Sequence, residues 1–292
     1  MSDDEWLTEQ FEEHRAHLRA VAYRMLGSFA AADDAVQEAW IRVSRAGAAG
    51  IDNFGGWLTT VVSRVCLNML RSRSTRREDS LDAHVPDPVV RIDDGGPEEQ
   101  AILADSIGLA LLVVLETLAP AERLAFVLHD LFGVSFDEIA PIVDRTPAAA
   151  RQLASRARRR VQGAVPEPDA DIHTQRRVVD AFFAAARSGD FDALIAVLDP
   201  EVVLRADFGP SPMSAVVRGA QSVAGRAIMF ADPTRTLTPA VVSGEPGAVV
   251  VVDDRLVSVM AFTVRDGRII AIDALGDTDR LAHVVGWRGR DR

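Results

Sequence analysis

The segment SFDEIAPIVDRTPAAARQLASRARRRV, residues 135–161, contains the signals for two helices joined by a tight turn. Ser135 and Glu138 have the S-x-x-E spacing of a capping box, which predicts that a helix begins there. Thr146 is suited to the N-cap of a second helix, and Pro147 to the first position of that helix. Two helices joined by a turn of three or four residues predict a helix-turn-helix.

The second of these helices concentrates positive charge in an acidic protein. Residues 145–160 contain six arginines and neither Asp nor Glu, whereas the formal net charge of the chain is −11. At helical spacing, the face predicted to pack inward consists of Ala150, Leu153, Ala157 and Val161. The opposite face carries Arg151, Gln152, Ser155, Arg156, Arg158 and Arg159. These residue types contact bases and phosphates in a major groove, so DNA binding is favoured over a merely solvated helix end.

A block before it, residues 8–77, is predicted to be all-helical because its apolar residues recur at helical spacing. One face of its third helix carries Thr60, Arg64, Asn68 and Arg71. These residues suit phosphate and base contacts, although a basic helix end beside a loop is the alternative. On the second helix, Asp34, Gln37, Glu38 and Arg42 point away from the apolar stripe. That polar face is either solvated or a docking surface for basic partner helices.

Composition narrows the class of protein. The chain has 292 residues, of which 48% are hydrophobic and 26% charged, as in globular proteins with two or three domains. One cysteine, Cys66, excludes an internal disulfide and predicts a buried thiol in a reducing compartment. We expect a cytoplasmic protein, because the sequence has neither a membrane-spanning apolar run nor a signal peptide. We also expect no metal and no cofactor, since ligand clusters and glycine-rich phosphate loops are missing.

The rest of the chain divides into linkers and further domains. Residues 78–100 have no hydrophobic period and hold eight acids and three prolines, which predicts an acidic linker. The helix-turn-helix belongs to a second helical block, residues 101–163, and a proline-rich joint, residues 164–171, follows it. Residues 172–292 begin with a helix and continue as strand-like runs with a hairpin signal at Asp266-Gly267. This last domain is predicted to be α+β.

Three segments carry a resemblance to a known family. DDAVQEAWIRV (33–43) resembles region 2.2 of a sigma factor, and FGGWLTTVVSRVCLNMLRSRSTRRE (54–78) resembles the promoter-reading helix that follows it. LAPAERLAFVLHDLFGVSFDEIAPIVDRTPAAARQLASRARRRV (118–161) resembles region 4. With no further domain between them, the two blocks are similar to the extracytoplasmic-function (ECF) sigma factors. The resemblance covers about half the chain and implies a region 2 helical bundle and a region 4 helix-turn-helix.

The resemblance implies partners and site residues. Core RNA polymerase would be bound through its β′ clamp helices, contacted by Asp34, Gln37 and Glu38, and through its β flap. The promoter −10 element would face Arg64, Asn68 and Arg71. The −35 element would be read by Arg151, Gln152, Ser155, Arg156 and Arg159. The acidic linker would pass toward the RNA exit channel, and the acidic remainder of the chain would limit stray nucleic-acid binding.

The C-terminal third resembles SnoaL-like domains, α+β cones related to nuclear transport factor 2. ECF sigma factors with such an extension form a subgroup, marked by L-P-E-P in the linker, D-G-G-G-R early in the extension and N-P-D-K-L near its end. Here VPDPVV (85–90) is close to L-P-E-P, and DTDRL (277–281) partly matches N-P-D-K-L. The motif D-G-G-G-R is missing, and RADFGPSPM (205–213) stands in its place. The resemblance implies an intramolecular contact of the extension with the linker or with region 2, and leaves its residues open.

A catalytic role for the third domain is the weaker alternative. Asp207, Asp253, Asp254 and Asp273 are candidate acids, and a buried Asp in an apolar cone can act as a base. However, the domain holds only His173 and His283, near its two ends, and no Tyr. We therefore expect no enzyme activity and a regulatory role.

Two other functions compete with a sigma factor at this point. A ligand-responsive helix-turn-helix regulator would bind duplex DNA tightly without polymerase, whereas a sigma factor would bind weakly until the core enzyme is present. A small-molecule enzyme that carries DNA-binding helices would need a substrate and would lose turnover when one pocket Asp is changed.

Overall fold

The chain forms two compact units in a computed structural model that describes residues 3–46, 51, 53–76, 83–92, 108–164, 171–232 and 234–284. The first unit combines Met1–Ser80 with Val114–Ala164, and the second combines Leu81–Val113 with Val165–Arg292. Residues of the predicted linker thus belong to the second unit. None of the helices in the described ranges is long and apolar enough to cross a membrane.

The first unit is helical. Its helices are α1 (Asp3–Leu26), α2 (Phe29–Ala46), α3 (Phe54–Arg76), the end of α4 (Leu109–Glu116, which crosses from the second unit), α5 (Pro120–Phe126), α6 (Phe136–Val143) and α7 (Pro147–Ala164). One π-helical turn, Val127–Leu131, follows α5. The predicted apolar stripes form the core, where Val21, Val36 and Leu58 are almost completely buried. Helices α1, α2 and α3 pack on one another because each has one apolar face.

The helix-turn-helix has the local structure that its sequence predicts. Ser135 Oγ accepts a hydrogen bond from the Glu138 N–H at 3.3 Å, and Glu138 Oε2 accepts one from the Ser135 N–H at 3.2 Å. This reciprocal pair is the capping box that starts α6. Asp144 ends α6 in the left-handed conformation, with φ 56° and ψ 49°. Thr146 Oγ1 then accepts from the Ala149 N–H at 3.3 Å, as expected of the N-cap of α7.

The buried face of α7 differs slightly from the predicted one. Ala150, Ala154 and Ala157 are fully buried, whereas Leu153 and Val161 are only partly buried. The missed residue is Ala154, because the sequence pattern gave weight to the larger apolar side chains. Small alanines let α7 lie close against the rest of the helix-turn-helix.

The second unit is α+β, as predicted. Its strands are β1 (Val90–Arg91), β2 (Leu198–Asp207), β3 (Ala215–Arg218), β4 (Thr236–Val242), β5 (Glu245–Val252), β6 (Arg255–Arg265) and β7 (Arg268–Leu275). They form one sheet in the order β1-β4-β5-β6-β7-β2-β3, in which only β2 and β7 are parallel. Its helices are the first turns of α4, then α8 (Ile172–Ser188), α9 (Phe191–Val197), α10 (Ala220–Met229) and α11 (Thr278–Leu281). An apolar core joins α8, α9 and α10 to one face of the sheet.

Two tight turns join the long antiparallel strands, and one of them lies at the predicted hairpin signal Asp266-Gly267. At the β6–β7 hairpin, Asp266 and Gly267 have φ values of 53° and 70°. At the β5–β6 connection, Asp253 and Asp254 have φ values of 49° and 61°. Two consecutive residues with positive φ are typical of type I′ hairpin turns, which match the twist of the strands.

The linker differs from its sequence-based description. Part of it, residues 83–92, lies in the second unit, and Val90 and Arg91 form the edge strand β1 beside β4. The register pairs Val90 with Val242 and Arg91 with Val241. Such a short strand has no local sequence signal, because its partner strand is about 150 residues away and Pro86 and Pro88 just before it mask the pattern. The remaining domain boundaries stay predictions.

Cys66 is predicted to be unreactive in the native protein. Its thiol is completely buried in α3, and burial raises its pKa to about 12. Because the thiolate is the reactive form, we expect the native chain to react with Ellman's reagent at pH 8 on the order of 10³-fold more slowly than the chain unfolded in guanidinium. Equal rates in the two states would contradict the burial.

Candidate nucleic-acid interface and linker contacts

The recognition helix α7 presents the five predicted −35 residues on one face. Arg151, Gln152, Arg156 and Arg159 are exposed, and Ser155 is partly exposed. The Arg151 guanidinium lies 5.3 Å from the centre of the Phe136 ring at the start of α6, which restrains it by a cation–π contact. The face is therefore accessible, polar and basic.

Two carboxylates from outside α7 flank this face. Glu122 of α5 lies 3.4 Å from Arg160 Nη1 and 4.0 Å from Arg156 Nη1. Asp130 of the π-helical turn accepts hydrogen bonds from Arg158 Nε at 2.8 Å and Nη2 at 2.6 Å. Both acids lie some 30 residues before their partners, so no local spacing in the sequence relates them. Three arginines of α7 are thus paired with acids of their own domain.

The predicted −10 residues also share a face, on α3. Arg64, Asn68 and Arg71 are all exposed. Arg64 Nη2 donates a hydrogen bond to the Pro141 carbonyl at 3.3 Å. This carbonyl lies in the last turn of α6, where the helix offers it no amide partner. The face of α3 that carries these residues therefore contacts the helix-turn-helix within the first unit.

The predicted polymerase-binding residues lie on the outer face of α2. Asp34 and Gln37 are exposed, and Glu38 is partly exposed. Glu38 Oε1 accepts a hydrogen bond from Arg42 Nε at 2.8 Å. An exposed i, i+4 pair of this kind contributes about 0.3–0.5 kcal/mol, so a partner protein can replace it at little cost. The face is suited to a basic partner.

In the second unit, Arg280 of α11 holds the linker. Its Nη1 donates to Asp207 Oδ2 at 2.6 Å, and its Nε donates to Asp87 Oδ1 at 2.7 Å. Its Nη2 donates to the Val85 carbonyl, and the Val85 N–H donates to Asp207 Oδ2 at 3.0 Å. His84 Nδ1 lies 3.1 Å from the same Asp207 oxygen. Although burial alone would raise the pKa of Asp207, hydrogen bonds from His84 and the Val85 and Gly209 amides, together with the charge of Arg280, hold it well below its usual value.

These contacts join the three segments that the sequence analysis compared with subgroup motifs. Asp87 belongs to VPDPVV, Asp207 to RADFGPSPM and Arg280 to DTDRL. Gly276, the residue just before DTDRL, also packs against RADFGPSPM, because a Cβ atom there would lie only 2.2 Å from the Phe208 ring. The segment that lacks the expected middle motif therefore supplies Asp207 as its contact with the linker.

A second buried polar cluster lies on the same sheet. Asp273 accepts a hydrogen bond from Arg205 Nη1 at 3.1 Å across the parallel β2–β7 pair. Glu245 of β5 accepts one from Thr263 Oγ1 at 3.0 Å and lies close to Gly108, before α4. Burial and the charge of Asp273 raise the pKa of Glu245 to about 7, and burial raises that of Asp273. Glu245 could not be identified from the sequence, because a lone Glu beside a turn gives no signal of burial.

The other candidate acids are not brought together. Asp253 and Asp254 lie in the β5–β6 turn, and His173 and His283 are exposed near the two ends of the domain. Asp207 and Asp273 each face an arginine of their own unit. Within the described ranges, no group of three or more His, Cys, Asp or Glu side chains could hold a metal ion.

Comparison with known proteins shows which family the chain belongs to. Residues 10–76 match the family model for Sigma-70 region 2, and residues 108–161 match the model for Sigma-70, region 4. The chain is 37% identical to the probable ECF RNA polymerase sigma factor SigI of Mycobacterium tuberculosis (strain CDC 1551 / Oshkosh), over 94% of each chain. It is 39% identical to the ECF RNA polymerase sigma factor SigJ of M. tuberculosis (strain ATCC 25618 / H37Rv), over 93% of this chain and 92% of SigJ. The chain belongs to the ECF sigma factors.

The crystal structure of M. tuberculosis SigJ shows the same fold over nearly the whole length. Its TM-score against this ECF sigma factor is 0.72, with 36% identity over 94% of this chain and 97% of SigJ. The predicted fold class is confirmed: two all-α sigma blocks are followed by an α+β domain. The family favours the sigma role over a helix-turn-helix regulator that acts without polymerase.

Proposed function

We propose that this ECF sigma factor binds core RNA polymerase through α2, the promoter −10 element through α3 and the −35 element through α7. The observation that carries the proposal is the placement of three exposed polar faces on one helical unit. One face is acidic, as a protein contact to basic helices requires, and two are basic, as contacts to DNA require.

The polymerase contacts follow from the acidic face. Asp34, Gln37 and Glu38 would contact the β′ clamp helices, and the helix-turn-helix block would contact the β flap. Asp34 and Gln37 are exposed, and Glu38 has only the weak pair with Arg42 to lose, so the face needs no rearrangement to accept a partner.

The DNA contacts follow from the two basic faces. Arg64, Asn68 and Arg71 would face the −10 element and its separated strand, for which Arg64 must give up the Pro141 carbonyl. Arg151, Gln152, Ser155, Arg156 and Arg159 would contact the −35 element from α7, which would lie in the major groove.

The C-terminal domain would modulate initiation through the linker. Asp87 and the Val85 backbone are bound by Arg280 and Asp207, and Val90 adds a strand to the sheet. The linker connects the two promoter-reading blocks. While it is bound to the C-terminal domain, it cannot extend toward the RNA exit channel. We expect no catalysis by this domain, and the arginine partners of Asp207 and Asp273 support that expectation.

Transcription in vitro tests the proposal. Purified full-length chain is added to core RNA polymerase, on promoter fragments selected from the DNA upstream of its own gene, beside a version cut near Val165. We expect initiation only when the chain is present. We also expect the full-length chain and the cut version to give different levels of initiation. Gln152→Ala should lower initiation roughly 5- to 150-fold, the effect of losing about 1–3 kcal/mol of base recognition. Arg265→Ala, an exposed change in the second unit, serves as the control.

Other results would reject the proposal. If neither form supports initiation while the isolated chain binds duplex DNA tightly, the protein is a regulator that acts without polymerase. If Gln152→Ala initiates as well as the unchanged chain, α7 does not read the −35 element.

A further inference from the structure

The arginines of α7 are not equivalent. At 100° per residue, Gln152, Ser155 and Arg159 lie along the middle of the exposed face. Arg156 and Arg160 lie at the edge nearest α5, and Arg158 lies at the opposite edge. The acids sit at these two edges, with Glu122 beside the first pair and Asp130 beside Arg158.

The acids are held more firmly than the arginines. The side chains of Glu122 and Asp130 are only 12% and 18% exposed, whereas Arg156, Arg158 and Arg160 are 54%, 43% and 56% exposed. The two carboxylates are therefore held in place by the surrounding helix-turn-helix, and the more exposed arginine side chains bend toward them. Two negative charges offset most of the charge of three arginines at the edges of the face.

The edges of a recognition helix are where the two phosphate backbones pass. Phosphate contacts hold a protein on DNA regardless of sequence and supply nearly all of its non-specific affinity. An arginine bound to a carboxylate has fewer donors left for a phosphate, and the carboxylate repels that phosphate. In the middle of the face, by contrast, neither Glu122 nor Asp130 forms an ion pair with Arg159 within the described part of the domain.

We propose that Glu122 and Asp130 are positioning residues that restrain the edge arginines from binding phosphate on random DNA, and so leave recognition of the −35 element to Gln152, Ser155 and Arg159. The proposal rests on the proposed −35 role of α7 and refines it. Arg156, which the sequence analysis grouped with the base-reading residues, becomes a restrained phosphate contact. The device lowers total affinity and raises the ratio of specific to non-specific binding, which decides promoter choice in a genome.

Binding of the full-length chain to a fluorescent 30-base-pair duplex of random sequence tests this without a known promoter. Anisotropy titrations at KCl concentrations from 50 to 200 mM compare the unchanged chain with Glu122→Gln and Asp130→Asn. Each neutral variant should bind random DNA more tightly, roughly 5- to 10-fold at 50 mM. The plot of log affinity against log salt should steepen by about 1 for each arginine released, since each new phosphate contact adds about 0.9 to the slope.

Matched variants separate the positioning role from net charge. Asp137→Asn removes the same charge from an exposed site in the first turn of α6, and should change neither the affinity nor the slope to this extent. Glu122→Asp keeps the carboxylate and should bind random DNA less tightly than Glu122→Gln. Adding Arg156→Gln and Arg160→Gln to Glu122→Gln should abolish the gain. If loss of helical circular dichroism shows that Glu122→Gln is unfolded, the affinity and slope measured for Asp130→Asn test the proposal without it.

The outcomes distinguish this inference from the proposed function. Unchanged affinity and slope in Glu122→Gln and Asp130→Asn, or an equal gain in Asp137→Asn, would overturn the inference. If Gln152→Ala also leaves the holoenzyme's discrimination between intact and scrambled −35 elements unchanged, the −35 role itself is wrong. If Gln152→Ala removes that discrimination, the −35 role stands whatever the two acids do.

Discussion

Replacing Arg280 with methionine is expected to detach the linker from the C-terminal domain and to lower the free energy of unfolding of that domain by about 3–5 kcal/mol. The Arg280 side chain is 19% exposed, and its partners Asp207 and Asp87 are 8% and 4% exposed. Without the guanidinium, both buried carboxylates lose a positive partner. Removing one member of a buried ion pair costs much more than the pair contributes, because it leaves an uncompensated charge.

Hydrogen exchange locates this effect in the chain. The amides of Val85 and Val89 donate to Asp207 Oδ2 and Ser243 Oγ, so exchange at both should be slow in the native protein. In Arg280→Met, peptides that cover residues 83–92 should exchange faster by a factor of 100 or so, as a loss of about 3 kcal/mol implies. Arg265→Met, at an exposed arginine of the same domain, should exchange like the unchanged chain. Unchanged protection in Arg280→Met would show that the linker is held by other contacts.

The same variant tests the modulation of initiation by the linker. If the C-terminal domain acts through the contacts of Arg280, Arg280→Met and the version cut near Val165 should change initiation in the same direction. If the two changes alter initiation in opposite directions, the domain regulates initiation by some means other than its contacts with the linker. Arg280→Met also keeps the rest of the domain in place, whereas the version cut near Val165 removes β4, the partner strand of β1.

Replacing Glu245 with glutamine is expected to remove a loss of stability that the unchanged protein shows as pH rises. Burial raises the pKa of Glu245 from about 4.5 to about 7. Between these two values the folded state binds more protons than the unfolded state, so stability falls with increasing pH and levels off above about 7. The full shift corresponds to about 3 kcal/mol. Glu245→Gln should therefore be more stable than the unchanged chain at pH 8, by up to that amount, and gain much less at pH 5.

Urea unfolding at several pH values between 5 and 8 measures this difference. Glu201→Gln, at an exposed position of β2, removes the same charge and should follow the unchanged chain. Asp207 affects stability in a different pH range. Because its pKa is lowered in the folded state, the stability that it contributes is lost only as pH falls below about 4. If Glu245→Gln has the same pH dependence as the unchanged chain, Glu245 is ionised and compensated in the folded state.

Much of the first unit could be predicted from its sequence because its signals are local. Ser135 and Glu138 form their capping box within one turn of helix, and Thr146 caps α7 in the same way. Such bonds depend on residues three positions apart, which a sequence displays directly. The exposed polar face of α7 was predictable for the same reason, since its polar and apolar residues recur with the helical period. The hairpin turn at Asp266 and Gly267 is equally local.

The tertiary structure alone decided which charges are paired. Glu122 meets the arginines of α7, Asp130 meets Arg158, and Arg280 joins Asp87 to Asp207 across 193 and 73 residues of sequence. It also buried Glu245, which in sequence is one more acid in an acidic chain. The sequence by itself determined the family, the two promoter-reading blocks and the α+β domain, because helical period and capping act over a few residues. Ion pairing, linker docking and burial depend on distances through space, and only the folded chain sets those.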